Sequence, residues 1–118
     1  MTTATYQIAT LSNSTNFLPI NITATTASSP TLIHTASSTN YDEIWLSAYN
    51  YGASDSSLTI LFGGNSTYQQ MSLVIPTGRG LIPVINGLRF TGSVVISAFA
   101  SITNYISVLG SINQIVFI

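Results

Sequence analysis

The sequence contains no cysteine and no lysine, and charged residues make up only 4% of its 118 positions. Without cysteine the chain forms neither disulfides nor thiolate metal sites. An ordinary soluble domain carries about 25% charged residues, and binding of nucleic acid needs clustered Lys and Arg to neutralise phosphates. The sequence therefore predicts no nucleic-acid partner. Its charged residues are Asp42, Glu43, Asp55, Arg79 and Arg89.

The low charge also bears on self-association. The formal net charge is −1 and 46% of the residues are hydrophobic, so the repulsion that keeps copies of a protein apart in solution is weak. Either the chain is a monomer with a Ser/Thr surface, or its surface is covered by identical neighbours. Tyr and Trp on second strand faces need a cover, which favours a homo-oligomer.

Long apolar runs are missing as well. Runs such as Leu73–Pro76 and Ile115–Ile118 are far shorter than the roughly 18 residues of a spanning helix. The start of the chain, MTTATYQIATL, lacks the basic and apolar regions of a signal peptide. We therefore expect no membrane association and no export by that route.

Helical periodicity is absent, whereas turn signals recur about every 8 to 12 residues, as in all-β sandwiches and barrels. The pattern predicts about eight short strands in an antiparallel β-sandwich of jelly-roll or Ig-like type. Residues 1–118 are expected to form a single domain. Within it, 41–118 would be the core, and 1–40, rich in Ser and Thr, would supply edge strands or an arm.

Tyr41–Gly64 shows the clearest strand pattern. Its first run alternates between two faces, and a second alternating run, Leu58–Phe62, follows after Gly52–Ser56, which have turn chemistry. This pattern predicts a β-hairpin with both faces partly apolar. One face of the first strand holds Ile44, Leu46 and Ala48, and the other holds Trp45, Ser47, Tyr49 and Tyr51.

Downstream, three features predict local structure. Asn86-Gly87 is the strongest signal for a two-residue hairpin, and Pro83 indicates an edge position or a bulge, because proline donates no ladder hydrogen bond. Gly110, in the last predicted strand Tyr105–Ile118, is a candidate bulge.

The titratable residues do not form a catalytic or metal-binding pattern. Asp42 and Glu43 are adjacent, so on a strand they point to opposite faces, and Asp55 lies in a predicted turn. The only histidine, His34, has no second His or Cys as a co-ligand and only the carboxylates Asp42 and Glu43 close to it in sequence, and it is expected to be structural and hydrogen-bonded. The sequence therefore predicts no enzyme, no metal and no cofactor.

The aromatic residues Trp45, Tyr49 and Tyr51 are the candidate site. Trp45 and Tyr49 lie on one strand face, roughly 13 Å apart. Such a row can stack on sugar rings, or it can pack at a subunit interface or against further layers of the core. We favour a protein interface, because the sequence shows no carboxylate or amide cluster beside the row.

The runs DEIWLSAYNYGASDSSLTILFGG and SLVIPTGRGLIPVINGLRFTGSVVISAFASITNYISVLGSINQI, within Asp42–Ile115, resemble small β-sandwich virion proteins of tailed bacteriophages. The resemblance implies a capsid decoration or cement protein located in the virion. Its partners would be the major capsid protein or another virion protein and its own copies, in a trimer at local three-fold positions. A glycan- or receptor-binding module of a fibre or spike, and a neck or tail ring subunit, are the alternatives.

Overall fold

The computed structural model describes residues 3–117. Met1 and Thr2 of the predicted N-terminal segment, and Ile118 of the predicted last strand, lie outside the described residues. The described chain forms nine strands and one 3₁₀ turn, Thr67–Gln69, without an α-helix. The strands are β1 (Ala4–Ala9), β2 (Ile20–Asn21), β3 (Thr31–Thr35), β4 (Tyr41–Asn50), β5 (Ser56–Phe62), β6 (Gln70–Ile75), β7 (Ile82–Phe90), β8 (Val95–Ala100) and β9 (Ile106–Phe117).

The strands form two antiparallel sheets that pack as a β-sandwich, as predicted. Sheet A has the order β1-β9-β4-β7, with the short β2 also paired to β9. Sheet B has the order β3-β8-β5-β6. The edge strands predicted within the first forty residues are therefore β1 and β2 in sheet A and β3 in sheet B.

The strand order is that of a jelly roll. The pairs β1–β9, β3–β8, β4–β7 and β5–β6 are nested, so the first half of the chain runs antiparallel to the second half as one long ribbon. The ribbon is rolled up so that β4 also pairs with β9 and β5 with β8. In an Ig-like sandwich the first two strands and the last two strands pair with each other. Neither pairing occurs here, so the jelly roll is the correct alternative of the two predicted.

The predicted hairpin at Tyr41–Gly64 is wrong, because β4 and β5 lie in opposite sheets. Residues 51–55 cross the sandwich instead of turning within one sheet. The side chain of Asn50 holds this crossing: Nδ2 donates to the Ser54 and Ile75 carbonyls, both at 2.9 Å, and Oδ1 accepts from Gly52 N–H at 2.8 Å. Alternation predicts a strand and its faces, but not the strand with which it pairs.

The core lies between the sheets, and one of the two faces predicted for β4 fills it. Ile44, Leu46 and Ala48 of β4 are buried, and Leu58 and Ile60 of β5 face them from the other sheet. Burial of a large apolar side chain stabilises the fold by about 1.5–3 kcal/mol. Because Ile44, Leu46 and Ala48 point inward, the residues that alternate with them, Trp45 and Ser47, point away from the core.

The predicted Asn86-Gly87 hairpin is also wrong, because β7 continues through both residues. Trp45 pairs with Asn86 and Ile44 with Leu88, so Gly87 is an extra residue in the ladder. Its φ of +80° is one that glycine adopts without strain. Asn-Gly therefore makes a bulge instead of a turn.

Pro83 lies where the sequence indicated. It occurs in β7, the edge strand of sheet A, beside a second register shift.

Gly110 is not a bulge, contrary to the prediction. The β4–β9 register runs without a shift from Tyr41↔Ile115 to Asn50↔Ile106, and Gly110 pairs with Leu46. A Cβ at this position would lie 1.9 Å from the carbonyl oxygen of Trp45. Glycine is required here because the two backbones approach closely.

Candidate interaction surface

The outer surface of sheet A carries most of the exposed aromatic residues of the sandwich. β4 turns Tyr41, Glu43, Trp45, Ser47 and Tyr49 outward, because its even-numbered residues fill the core. The neighbouring strands extend this surface. We call it the aromatic face, and its exposed large side chains are Tyr6, Ile8, Tyr41, Trp45, Tyr51 and Phe117.

Trp45 lies near the middle of the aromatic face. The side chain is 44% exposed, and Nε1 donates a hydrogen bond of 2.8 Å to Glu43 Oε1. The six-membered ring lies against Gly87, where an added Cβ would be 2.8 Å from Cζ2. The Gly87 bulge therefore makes room for the indole, which is held in place while much of its surface faces solvent.

Glu43 is the centre of a polar cluster beside Trp45. Asn113 on β9 and Arg89 on β7 are its cross-strand partners. Asn113 Nδ2 donates to Oε1 at 3.3 Å, and Arg89 Nε lies 3.7 Å from Oε2. The hydrogen bond from Trp45, then that from Asn113, lowers the pKa of Glu43 below its ordinary value of 4.5, with a smaller contribution from Arg89. Desolvation opposes this shift, and the carboxylate stays ionised at neutral pH.

A groove of about 370 Å³ runs beside Trp45. Phe17, Leu81 and Pro83 line it. Leu81 directly precedes β7, and Pro83 is the second residue of β7. The polar side chain of Asn86 also lines it, as does Leu109. The groove is open and mostly apolar, with amide and hydroxyl groups at its margin.

Tyr49 and Tyr51 form a separate pair at the end of β4. Their ring centroids are 6.3 Å apart at an interplanar angle of 53°. The Tyr51 hydroxyl donates to Asn21 Oδ1 at 2.5 Å, which ties it to the domain's own β2. The structure therefore divides the predicted row: Trp45 belongs with Glu43 and Arg89, and Tyr49 belongs with Tyr51.

Sequence analysis missed the opposite end of the aromatic face. Tyr41 and Phe117 pack edge to face, with centroids 5.6 Å apart. Tyr6 and Ile8 on β1 lie beside them and are 69% and 76% exposed. The sequence predicts edge strands or an arm within residues 1–40, but the place of β1 beside β9 follows from a pairing that no local pattern encodes.

His34 is structural, as predicted, and lies away from the aromatic face. It is buried and its Nδ1 accepts from the backbone N–H of Ser12 at 3.0 Å, so Nε2 carries the proton and donates to Asp42 Oδ2 at 2.8 Å. Asp42 also accepts from Ser37 N–H and from Gln114 Nε2, both at 3.0 Å. As expected for adjacent strand residues, Asp42 points inward and Glu43 outward.

The third carboxylate, Asp55, accepts a hydrogen bond of 3.0 Å from Thr77 N–H in the crossing between the sheets. Across residues 3–117, His, Asp and Glu side chains form no group of three or more that could hold a metal ion. The same residues include no helix that is long and apolar enough to cross a membrane.

No family model matches the chain, and no curated protein matches it. Fold and surface together define a jelly-roll domain with an exposed aromatic sheet face that has the Glu43–Arg89 pair near its middle.

Proposed function

We propose that the chain is a non-enzymatic structural protein of a phage virion, a capsid decoration or cement protein that binds its neighbours through the aromatic face. One observation carries the proposal: six large aromatic or aliphatic side chains are exposed on the same side of sheet A. Exposed apolar patches rimmed by polar residues mark interaction sites in soluble proteins, and the end of the face that holds Tyr6, Ile8, Tyr41 and Phe117 is such a patch.

The composition of the face suits a protein partner. Trp, Tyr and Arg are enriched at the centres of protein interfaces and carry most of their binding energy. Trp45 and Arg89 lie next to each other around Glu43, and the tyrosines flank them. Trp45 is held by its bond to Glu43 before any partner arrives, so little side-chain entropy is lost on binding.

The virion setting comes from the resemblance of Asp42–Ile115 to phage decoration proteins. Jelly rolls recur in viral capsids, but they also recur in lectins, and fold alone does not define function. A neck or tail ring would use the same face. Copy number per particle separates these locations, because a shell protein is present in hundreds of copies and a ring subunit in only a few.

The test compares two single substitutions in purified particles. Trp45→Ala removes the central aromatic residue of the face, and Tyr68→Ala removes an aromatic residue that is 87% exposed in the 3₁₀ turn before β6. Truncation of a central interface Trp costs about 2 kcal/mol or more, which is a loss of affinity of about thirtyfold. We expect Trp45→Ala to leave particles depleted of the protein and Tyr68→Ala to leave them fully occupied. Equal, full occupancy for both variants would contradict the interface.

Saccharide binding is a second candidate, and the polar cluster favours it. The sequence showed no carboxylate or amide cluster beside the aromatic row, but the structure brings Glu43, Asn113 and Arg89 together beside Trp45. Aromatic surface flanked by donors and acceptors is suited to sugar rings and their hydroxyls. Trp45 is the only tryptophan, so its fluorescence reports the site alone. A saturable change on titration with saccharides, in a protein that does not copurify with capsids, would favour this function over a shell protein.

A further inference from the structure

Each sheet has two edges: in sheet A these are β1 with the two-residue β2 on one side and β7 on the other, and in sheet B they are β3 and β6. An unprotected edge presents free backbone N–H and C=O groups that pair with another strand. Proteins usually block such edges with prolines, charges, bulges or a covering segment. The four edges differ sharply in this protection.

Two edges are protected. β7 contains Pro83, Arg89 and two register shifts. β3 is covered by the segment between β1 and β2: Asn13 N–H donates to the Ile33 carbonyl at 3.2 Å, and Asn13 Nδ2 donates to the Leu32 carbonyl at 2.7 Å. Neither edge offers a regular free ladder.

The same segment limits access to β1. It leaves β1 after Ala9, buries Leu11 in the core and reaches β3 at Asn13. It therefore crosses between the sheets at the end of β1, and an added strand would meet it there. Only β6 remains.

β6 has none of these protections. Its sequence, QMSLVI, holds no charge and no proline, and its register with β5 runs from Leu61↔Gln70 to Ser56↔Ile75 without a shift. Among the described residues, its backbone makes hydrogen bonds outside this ladder only at the two ends. There Gln70 N–H donates to the Thr67 carbonyl, and the Ile75 carbonyl accepts from Asn50 Nδ2.

We propose that β6 pairs antiparallel with β6 of a second copy about a two-fold axis, so that two copies of sheet B form one eight-stranded sheet. An identical strand is the fitting occupant because the edge carries no charge, so self-pairing brings no like charges together. Each copy covers the free edge of the other, so this contact stops at two copies. The inference goes beyond the proposed function and uses a different surface.

Strand geometry restricts the register of this contact. Residues directly opposite each other point to the same side of a sheet, and side chains alternate along a strand. About a two-fold axis perpendicular to the sheet, one residue of β6 must therefore lie opposite the same residue of the second copy. The centre of β6 offers Ser72 or Leu73. In the register centred on Ser72, Ser72 lies directly opposite Ser72 of the second copy. In the register centred on Leu73, Ser72 lies opposite Val74 of the second copy, two residues from its Ser72.

The first experiment measures molar mass against concentration by light scattering for the wild type, Val74→Lys and Leu88→Lys. Val74 on β6 and Leu88 on β7 are 60% and 49% exposed, so each lysine enters a solvated position. The two-fold axis brings the new lysine of each copy into the interface. We therefore expect Val74→Lys to raise the dissociation constant of the dimer at least about tenfold. Leu88→Lys should dimerise like the wild type. A monomeric wild type, or equal mass for both variants at every concentration, would overturn the proposal.

The second experiment uses the absence of cysteine. In the register centred on Ser72, the two cysteines of Ser72→Cys lie directly opposite each other and within range of a disulfide, and in the register centred on Leu73 the same holds for Leu73→Cys. Ile8→Cys is the control: it also introduces a single cysteine, at a position on β1 where the native side chain is 76% exposed. We expect mild oxidation to cross-link either Ser72→Cys or Leu73→Cys into dimers, according to the register, and to leave Ile8→Cys monomeric; the absence of a dimer from both β6 variants would overturn the assignment to β6. Loss of particle binding in Trp45→Ala leaves both readouts unchanged, so the two proposals fail independently.

Discussion

Trp45 Nε1 donates a hydrogen bond of 2.8 Å to Glu43 Oε1, two residues back on the same outward side of β4. This bond fixes the indole in the middle of the aromatic face and holds the carboxylate in its ionised form. It joins the one tryptophan of the chain to one of its five charged residues. Trp45 fluorescence therefore reports whether the Glu43 carboxylate is ionised or protonated.

The first prediction is a fluorescence titration of Trp45 in acid. Glu43 has a folded pKa below 4.5, so its contribution to stability is complete above 4.5 and is lost as the pH falls through the lower, folded value. We expect the Trp45 emission to change with a midpoint below 4.5. Glu43→Gln should abolish this transition and Asp55→Asn should keep it. A midpoint at or above 4.5, or a transition that persists in Glu43→Gln, would rule out the coupling.

The second prediction concerns the buried pair of His34 and Asp42. In Asp42→Ala, His34 Nε2–H, Ser37 N–H and Gln114 Nε2 lose their acceptor. His34 has no compensating tautomer, because Nδ1 accepts from Ser12.

Unsatisfied buried donors are costly, and we expect the free energy of unfolding to fall by about 3 kcal/mol, measured by urea denaturation. Asp55→Ala, which removes one acceptor at an exposed crossing, should cost about 1 kcal/mol or less. Similar losses for both variants would show that the buried pair contributes little.

The third prediction concerns Gly110. In Gly110→Ala the new methyl group overlaps the Trp45 carbonyl oxygen, which belongs to the central β4–β9 ladder. We expect a loss of about 4 kcal/mol in the free energy of unfolding. Gly64→Ala is the matched control, because its methyl group meets only the movable end of the Gln69 side chain. Equal stability of the two variants would contradict the close approach of β4 and β9.

The fourth prediction tests whether Tyr51 is tied to its own domain. Tyr51→Phe removes only the hydroxyl that donates to Asn21, and we expect a loss of about 1 kcal/mol in thermal or urea unfolding. Tyr6→Phe changes an exposed ring on β1 and should have no effect. An unchanged stability of Tyr51→Phe would leave the ring free to serve a partner instead.

Alternation along β4 was enough to predict which side chains face the core and which face solvent, and the scarcity of helical periodicity was enough for an all-β sandwich. The pairing of strands was not predictable in the same way. Residues 51–55 have turn chemistry whether the chain reverses within a sheet or crosses to the other one. Asn86-Gly87 likewise suits a turn and a bulge, and the choice depends on β4, which pairs along the whole of β7.

The polar cluster around Trp45 shows the same limit. Glu43, Arg89 and Asn113 are far apart in sequence and meet only because β7 and β9 flank β4 in one register. Trp45, Tyr49 and Tyr51 could be selected from the alternation of residues 43–51 alone, since they share one side of it. Their separation into two groups could not, because it depends on Asn21 of β2 and on the bulge at Gly87.

The most direct test of the aromatic face as a contact surface is acrylamide quenching of Trp45 in the free protein and in purified particles. The indole is 44% exposed in the isolated domain, so acrylamide should quench it readily there. If the face binds a neighbour, the quenching constant should fall severalfold in the particle and the emission should shift to the blue. Unchanged quenching in fully occupied particles would contradict the account.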